Sequence, residues 1–349
     1  MNERSSQEAA PLFFQDILGQ ERVLSQLKAA RRSERLAHAY LFLGLEGVGR
    51  ASTARALAAA LNCENPREDG DACGECPSCL RLAAGTQANF QTIIPTSEGR
   101  QPQIKIEQIR ELRRQMGYPP LDGGWRVVLL KPAEALNDAS ANALLKTLEE
   151  PPPRHVLILT AQGEADLFPT IVSRCQKLNF APLPQALVAR ELMRRRHLPG
   201  PQAALLAALS GGSLGRALAL EPEALVSTRT RVLQELAAFK AGGASQVLTW
   251  AGRLAKNRED LDNFLLLTQL WYRDLLLVHF GAPPQRLAHQ DCLEELKKEA
   301  RAGQPRSWFA HLNALREAHR ALGANLNPEL TLDILGLRLQ HPGLTHEHR

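Results

Sequence analysis

The sequence has few aromatic residues, no long hydrophobic run and almost balanced charges. Aromatic side chains make up only 5% of its 349 residues. No apolar run approaches the roughly 18 residues that a membrane span requires, and the polar first residues are unlike a signal peptide. We therefore expect a soluble protein of the cytoplasm that has no membrane segment. A formal net charge of +5 is too small to indicate nucleic-acid binding by itself.

The first half of the chain alternates strand-like and helical patterns. The length predicts two or three domains, and 44% hydrophobic residues are enough for a buried core. Short apolar or β-rich runs predict strands at residues 39–43, 90–94, 126–130, 155–160 and 176–180. Asn137 is the expected N-cap of a helix that Pro151 ends. Because helical patterns separate most of the runs, we predict an α/β domain with a parallel sheet.

After residue 180 the pattern becomes helical throughout. Two prolines in residues 181–184 predict a rigid connector, and leucine and alanine dominate the remainder of the chain. We predict an α/β domain at residues 1–181, a small helical domain at 182–224 and a helical bundle at 225–349. No internal repeat and no low-complexity tract is evident.

A glycine-rich loop follows the first predicted strand and leads into an alanine-rich helix. Gly44, Gly47 and Gly49 lie in this loop, and a strand, glycine loop and helix in this order direct backbone N–H groups at phosphates. A working loop continues with Lys for the phosphates and Ser or Thr for Mg²⁺, whereas this chain has Arg50 and Ala51. An alanine side chain cannot bind a metal.

The acidic half of an ATPase site is also missing. Lys131 and Pro132 follow the strand at 126–130, where a metal-binding Asp and a catalytic Glu are expected. A lysine there repels Mg²⁺. We predict that the chain hydrolyses no ATP and that the loop around Arg50 serves only to join strand and helix. Weak nucleotide binding remains an alternative.

Four cysteines lie close together in the sequence, at Cys63, Cys73, Cys76 and Cys79. The two-residue spacers suit adjacent corners of a Zn²⁺ tetrahedron, and four thiolates close the coordination shell. The spacing therefore predicts a structural zinc module at residues 63–79 whose folding energy is local. The alternative is four free thiols on a loop.

Four short sequence motifs stand out at residues 17–20, 38–42, 142–152 and 169–175, and the most specific of them are NALLKTLEEPP and the SRC triplet. Together they resemble the bacterial clamp-loader family, in particular its delta-prime and gamma/tau subunits. The resemblance covers residues 13–220. The family has the same zinc module after the phosphate-loop helix. The altered loop points to the delta-prime type, since gamma/tau subunits look like intact ATPases.

The resemblance implies an AAA+-like (RecA-like) domain with an inserted zinc module, a helical lid and an all-α collar. It implies a DNA polymerase III clamp loader, in which this subunit joins gamma/tau and delta in a ring that loads the sliding clamp onto primed DNA. Ser173 and Arg174 match the SRC triplet. Arg174 lies at a predicted helix-to-strand junction, and we predict that it acts as an arginine finger in a neighbour's site. A salt bridge inside the domain is the alternative.

Other functions stay open at this point. Arg216 matches the family's sensor-2 arginine, and packing or a salt bridge is its expected role here. A gamma/tau-type ATPase is the second hypothesis, although Arg50, Ala51 and Lys131 and the absence of a long C-terminal extension argue against it. A zinc-containing nucleic-acid-binding module is the third, and acidic residues around the cysteines argue against that.

Overall fold

Five short strands form one parallel sheet in the computed structural model, which describes residues 13–96 and 102–341. All neighbouring strands pair in parallel, in the spatial order β2–β3–β4–β1–β5. The strands are β1 Ala39–Leu43, β2 Phe90–Ile93, β3 Arg126–Leu130, β4 His155–Ala161 and β5 Gln176–Asn179. These bounds lie within one residue of the predicted ones, so the α/β sheet is confirmed.

Both faces of the sheet are covered, which explains why its central strands are apolar on both sides. Every residue of β1 and β4 is buried. Tyr40 and Phe42 point to one core with the alanines of the helix after the loop, whereas Leu41 and Leu43 point to a second core. This arrangement requires a helix layer on each face.

Six helices accompany the sheet among the described residues up to Pro184. Asn137 caps α5 by accepting a hydrogen bond from the backbone N–H of Ser140 at 3.0 Å, as predicted. The helices are α1 Glu21–Arg32, α2 Arg50–Asn62, α3 Pro77–Ala83, α4 Ile106–Met116, α5 Asp138–Glu149 and α6 Pro169–Val172.

The chain after Pro184 is helical, as its leucine- and alanine-rich composition predicts. It forms a second unit, apart from Ser213–Gly215, which belongs to the first. The predicted domain limits at residues 181 and 224 stay predictions. The helices are α7 Gln185–Arg196, α8 Gly200–Leu209, α9 Leu214–Ala219, α10 Pro222–Ala241, α11 Ala244–Leu254, α12 Arg258–His279, α13 Leu293–Ala302, α14 Pro305–Gly323 and α15 Pro328–Gln340. Over the described ranges, none of the helices has the length and apolarity to cross a membrane.

Candidate functional site

The glycine loop occupies residues 44–49, between the end of β1 and the start of α2. Gly49 is the N-cap of α2 and has a φ of 109°, a conformation that other residues rarely adopt. The helix N-terminus therefore follows a buried parallel strand, as in phosphate-binding loops. The backbone architecture of such a loop is present.

Arg50, at the position of the phosphate-binding lysine, is turned inward. It is 8% exposed, and its Nη1 donates to the backbone carbonyl of Ala161, the last residue of β4. Burial lowers the pKa of Arg50, and the charges of Glu134 and Glu46 partly oppose that shift. The guanidinium is thus engaged within its own domain.

The residues after β3 do not offer a metal site of the usual kind. Lys131 and Pro132 directly follow Leu130, the last residue of β3, and both are exposed. The nearest acid, Glu134, accepts a hydrogen bond from the backbone N–H of Gln162 at 2.6 Å. One oxygen of the carboxylate that follows the strand is therefore bonded to the backbone.

Ser213–Gly215, which belongs to the sheet-containing unit, lies directly against the glycine loop. Ser213 Oγ donates to the carbonyl of Glu46 at 2.6 Å, and the Gly215 N–H donates to the carbonyl of Gly47 at 2.9 Å. A Cβ on Gly215 would lie 2.8 Å from Gly47 Cα, so only glycine allows this approach. Two loop carbonyls are thereby tied to a distant part of the sequence.

Gln20 forms a third connection to the loop. Its side chain is 3% exposed and pairs with the backbone of Ala181, donating to the carbonyl at 2.7 Å and accepting from the N–H at 3.0 Å. The same amide nitrogen donates to the carbonyl of Val48 at 3.4 Å. Gln20 thus joins the start of the domain, the loop and the segment after β5.

The four cysteines predicted to bind zinc come together in space. Their Sγ atoms all lie within 4.8 Å of one another. The distance is 4.0 Å both between Cys63 and Cys76 and between Cys73 and Cys79. In a tetrahedral site with Zn–S bonds of about 2.3 Å, neighbouring sulfurs lie about 3.8 Å apart. The cluster therefore fits a tetrahedral metal and could bind one.

Backbone groups around the cysteines favour thiolates. The N–H groups of Glu75 and Cys76 donate to Cys73 Sγ at 3.4 and 3.3 Å, and they lower the pKa of Cys73 to about 6. Burial raises the pKa of Cys63 and of Cys79 in the absence of a metal. Because a bound cation stabilises thiolates, a metal would offset that burial.

The cysteine segment is joined to the main core, which differs from the expected local module. Ala72, Cys76, Cys79 and Leu82 are each at most 5% exposed and belong to the core cluster that contains Leu57 of α2. The segment is short and cannot bury its apolar residues against itself, so they pack on α2. Its stability is therefore coupled to that of the sheet domain.

Arg174 lies between α6 and β5, at the helix-to-strand junction that the sequence predicts. Its Nη2 forms an ion pair with Glu149 Oε1 at 2.8 Å, and its Nη1 donates to the carbonyl of Thr170 at 3.0 Å. The Arg174 side chain is 36% exposed. Ser173 is exposed, and its Oγ donates to the Thr170 carbonyl at 3.1 Å. The intradomain salt bridge is thus present, on a side chain that still reaches the surface.

The structure groups the predicted residues into a loop site, a cysteine cluster and a separate surface arginine. Arg216 lies in α9 and is exposed. Sequence reasoning missed the roles of Glu149 and Gln20, although both lie in the phrases that carried the family resemblance. The signal for Glu149 was an acidic residue at a helix C-terminus, where a cation is normally favoured.

Fold and site together define an α/β domain in which a glycine loop joins the buried strand β1 to α2 and Arg50 is buried at the start of that helix, followed by a helical region. A family model described as DNA polymerase III, delta subunit, matches residues 19–184. Another, described as DNA polymerase III, delta subunit, C terminal, matches residues 223–341. The chain belongs to this DNA polymerase III subunit family.

The curated relatives include subunits named delta' and subunits named tau. DNA polymerase III subunit delta' of Pseudomonas aeruginosa is 42% identical over 200 residues, which are 57% of this chain and 60% of the relative. Subunit delta' of Bacillus subtilis is 28% identical over 330 residues, 92% of this chain and 96% of the relative. Subunit tau of Bacillus subtilis is 32% identical over 256 residues, 72% of this chain and 44% of the relative.

Proposed function

We propose that this chain is a delta-prime-type subunit of a bacterial DNA polymerase III clamp loader and that it hydrolyses no ATP itself. In this proposal it works in the cytoplasm, in a ring with gamma/tau and delta subunits that loads the sliding clamp onto primed DNA. Its AAA+-like domain is residues 1–181, its lid 182–224 and its collar 225–349. In support, the match to the Bacillus delta' relative spans 96% of that protein.

One observation carries the non-hydrolysing role, namely the residues that fill the loop site. Ala51 has no side-chain oxygen for Mg²⁺, and Arg50 is buried on the Ala161 carbonyl. Lys131 takes the place of a metal-binding acid and adds a positive charge. Without metal ligands the γ-phosphate charge cannot be neutralised in the transition state.

The proposed contribution of this chain to ATP hydrolysis is Arg174, acting on a nucleotide held by a neighbouring subunit, with Ser173 beside it. The support is its partial exposure and its place before β5, since β5 pairs in parallel with β1 and the chain's own loop follows β1 at the other end of the strands. A planar guanidinium can donate two parallel hydrogen bonds to phosphoryl oxygens, which an ammonium group cannot. Such arginine fingers contribute about 10³–10⁵ in rate in other nucleotide hydrolases.

We also propose that the cysteine cluster holds one structural Zn²⁺ through Cys63, Cys73, Cys76 and Cys79. Four mutually close sulfurs are the support, since four thiolates form a closed tetrahedral shell without a water position. The metal would fix the turn between α2 and α3 and take no part in a reaction.

The test of the trans-acting role is Arg174→Ala in a reconstituted loader with the other subunits of the same organism. DNA- and clamp-stimulated ATP hydrolysis should fall, and Arg174→Lys should restore part of it. Lys177→Ala is the matched control, because Lys177 is 42% exposed and forms a surface ion pair with Glu164 at 2.6 Å. Assembly of each complex is checked by native mass spectrometry.

Two results would change the proposal. Wild-type hydrolysis and clamp loading by a normally assembled Arg174→Ala complex would refute the arginine finger. Robust ATP hydrolysis by the isolated chain would instead favour a gamma/tau-type motor, the second candidate, which the 32% identity to subunit tau supports.

A further inference from the structure

We propose that Glu149 is a positioning residue for Arg174, holding the guanidinium in the orientation that presents it to a neighbouring subunit's nucleotide. This inference rests on the proposed trans action of Arg174. It assigns to Glu149 a purpose that its own location in α5 does not explain.

The guanidinium of Arg174 is held on two sides by its own domain. Glu149 Oε1 accepts from Nη2 at 2.8 Å, and the Thr170 carbonyl accepts from Nη1 at 3.0 Å. Ser173 Oγ also lies 3.4 Å from Nη1. Contacts to two different nitrogens fix the rotation of the planar group, which a single contact would leave free.

Glu149 stands where a negative side chain is unfavourable for its helix. It is the last residue of α5, and the free carbonyl groups at a helix C-terminus carry partial negative charge. The ion pair with Arg174 places a cation at this end of the helix. The interaction thus joins the α5 terminus to the α6–β5 junction, 25 residues further along the chain.

The contacts leave donors for a phosphate. A guanidinium has five N–H groups, and the contacts to Glu149, Thr170 and Ser173 involve Nη1 and Nη2 only. The remaining N–H groups belong to a side chain that is 36% exposed. Glu149 can therefore keep its ion pair while Arg174 donates outward. Because the Glu149 carboxylate orients the guanidinium before the phosphate arrives, less entropy is lost in ordering the Arg174 side chain in the transition state.

The experiment measures ATP hydrolysis by the reconstituted loader carrying Glu149→Ala or Glu149→Gln. The alanine variant should lower kcat about two- to fivefold, the range that an exposed ion pair can supply. The KM for ATP should change little, because the finger acts on transition-state charge. Glu149→Gln keeps an oxygen acceptor for Nη2 and should lose less activity.

Glu150→Gln is the matched control. Glu150 is the adjacent exposed acid and the C-cap of α5, and we find no ion pair of Glu150 within the described residues. This variant should hydrolyse ATP at the wild-type rate. A general effect of removing negative charge from the end of α5 would lower both Glu149 and Glu150 variants equally and would overturn the proposal.

A double variant separates positioning from a merely structural role. Glu149→Ala should have no further effect on hydrolysis in the Arg174→Ala background, because the residue then has nothing to position. Additive losses of ATP hydrolysis in the double variant would overturn the proposal. Faster hydrolysis by Glu149→Ala alone would also overturn it, because Glu149 would then restrain Arg174 and not position it. If Arg174→Ala alone leaves hydrolysis unchanged, the arginine finger itself is refuted. If Arg174→Ala lowers hydrolysis while Glu149→Ala is fully active, only the positioning role of Glu149 is refuted.

Discussion

Removing the Zn²⁺ that we propose for the cysteine cluster should destabilise the whole sheet domain and not only residues 63–79. The perturbation is chelation of zinc from the isolated chain, followed by addition of excess Zn²⁺. The reason is the burial of the cysteine segment against α2. Cys79 is 1% exposed and Leu82 is 2% exposed, both within the core cluster of the sheet.

The expected size follows from the packing that the segment would lose. Burying one leucine side chain fully contributes about 1.5–3 kcal/mol, and Leu82 lies in α3, directly after the cysteine turn. Loosening of α3 should thus cost about 1.5–3 kcal/mol. For a domain of this size, each kcal/mol shifts Tm by about 2–4 °C, so chelation should lower Tm by about 3–12 °C.

The assay combines zinc quantification with a chromogenic reporter and thermal unfolding followed by circular dichroism. Untreated protein should release about one Zn²⁺ per chain. Cys79→Ser should reproduce the lower Tm without chelator, while Cys292→Ser, a thiol outside the cluster, should keep both zinc and Tm. Protein without zinc, or a Tm that stays constant after proven zinc removal, would refute the reasoning.

The remaining predictions concern the helical unit and the loop. Asp274→Asn should lower the free energy of unfolding by about 1–3 kcal/mol at neutral pH, because fully buried Asp274 bonds His289 Nδ1 at 2.9 Å. The control Asp262→Asn, at an exposed ion pair, should change the free energy of unfolding by less than about 0.5 kcal/mol. Burial raises the pKa of Asp274, but the hydrogen bond and charges of His289 and the charge of Arg273 outweigh it, so the net shift is downward. Because the pKa of Asp274 is depressed in the folded protein, its ionisation stabilises the fold above the unfolded pKa of about 3.9. Urea titrations should therefore show that the difference in unfolding free energy between the wild type and Asp274→Asn shrinks as the pH falls below that value. In a phosphate-release assay, Arg50→Lys with Ala51→Thr should still give no ATP hydrolysis.

The sheet could be predicted from the sequence because its signals are local. Each strand is a short apolar run with helical sequence on both sides, and Asn137 caps its helix through residues three positions away. The cysteine cluster was equally local, since all four cysteines lie within residues 63–79. In these cases the residues that form the strand, cap or cluster are close together in the sequence, so a local pattern is enough to predict it.

Other parts of the site depend on contacts that no local pattern shows. Gln20 bonds to Ala181 across 161 positions, and Arg50 bonds to Ala161 across 111. The packing of the cysteine segment on α2 also depends on the folded sheet, so a purely local module was expected. In the helical unit, leucine and alanine recur so evenly that the sequence predicted helices but not their limits.

The contrast between Arg50 and Arg174 in burial supports the proposal that Arg174, and not Arg50, acts on a neighbour's nucleotide. Arg50 is 8% exposed, and withdrawing its guanidinium from the Ala161 carbonyl would leave a buried cation without that acceptor, a change that costs several kcal/mol. Arg174 is 36% exposed and its ion pair is at the surface, where such pairs contribute about 0–1 kcal/mol. A phosphate can therefore attract Arg174 by charge-assisted hydrogen bonds at little cost to the fold. Arg50 is fixed as part of the core, whereas the Arg174 guanidinium lies at the surface in an exposed ion pair, and this difference in burial separates the structural arginine from the proposed functional one.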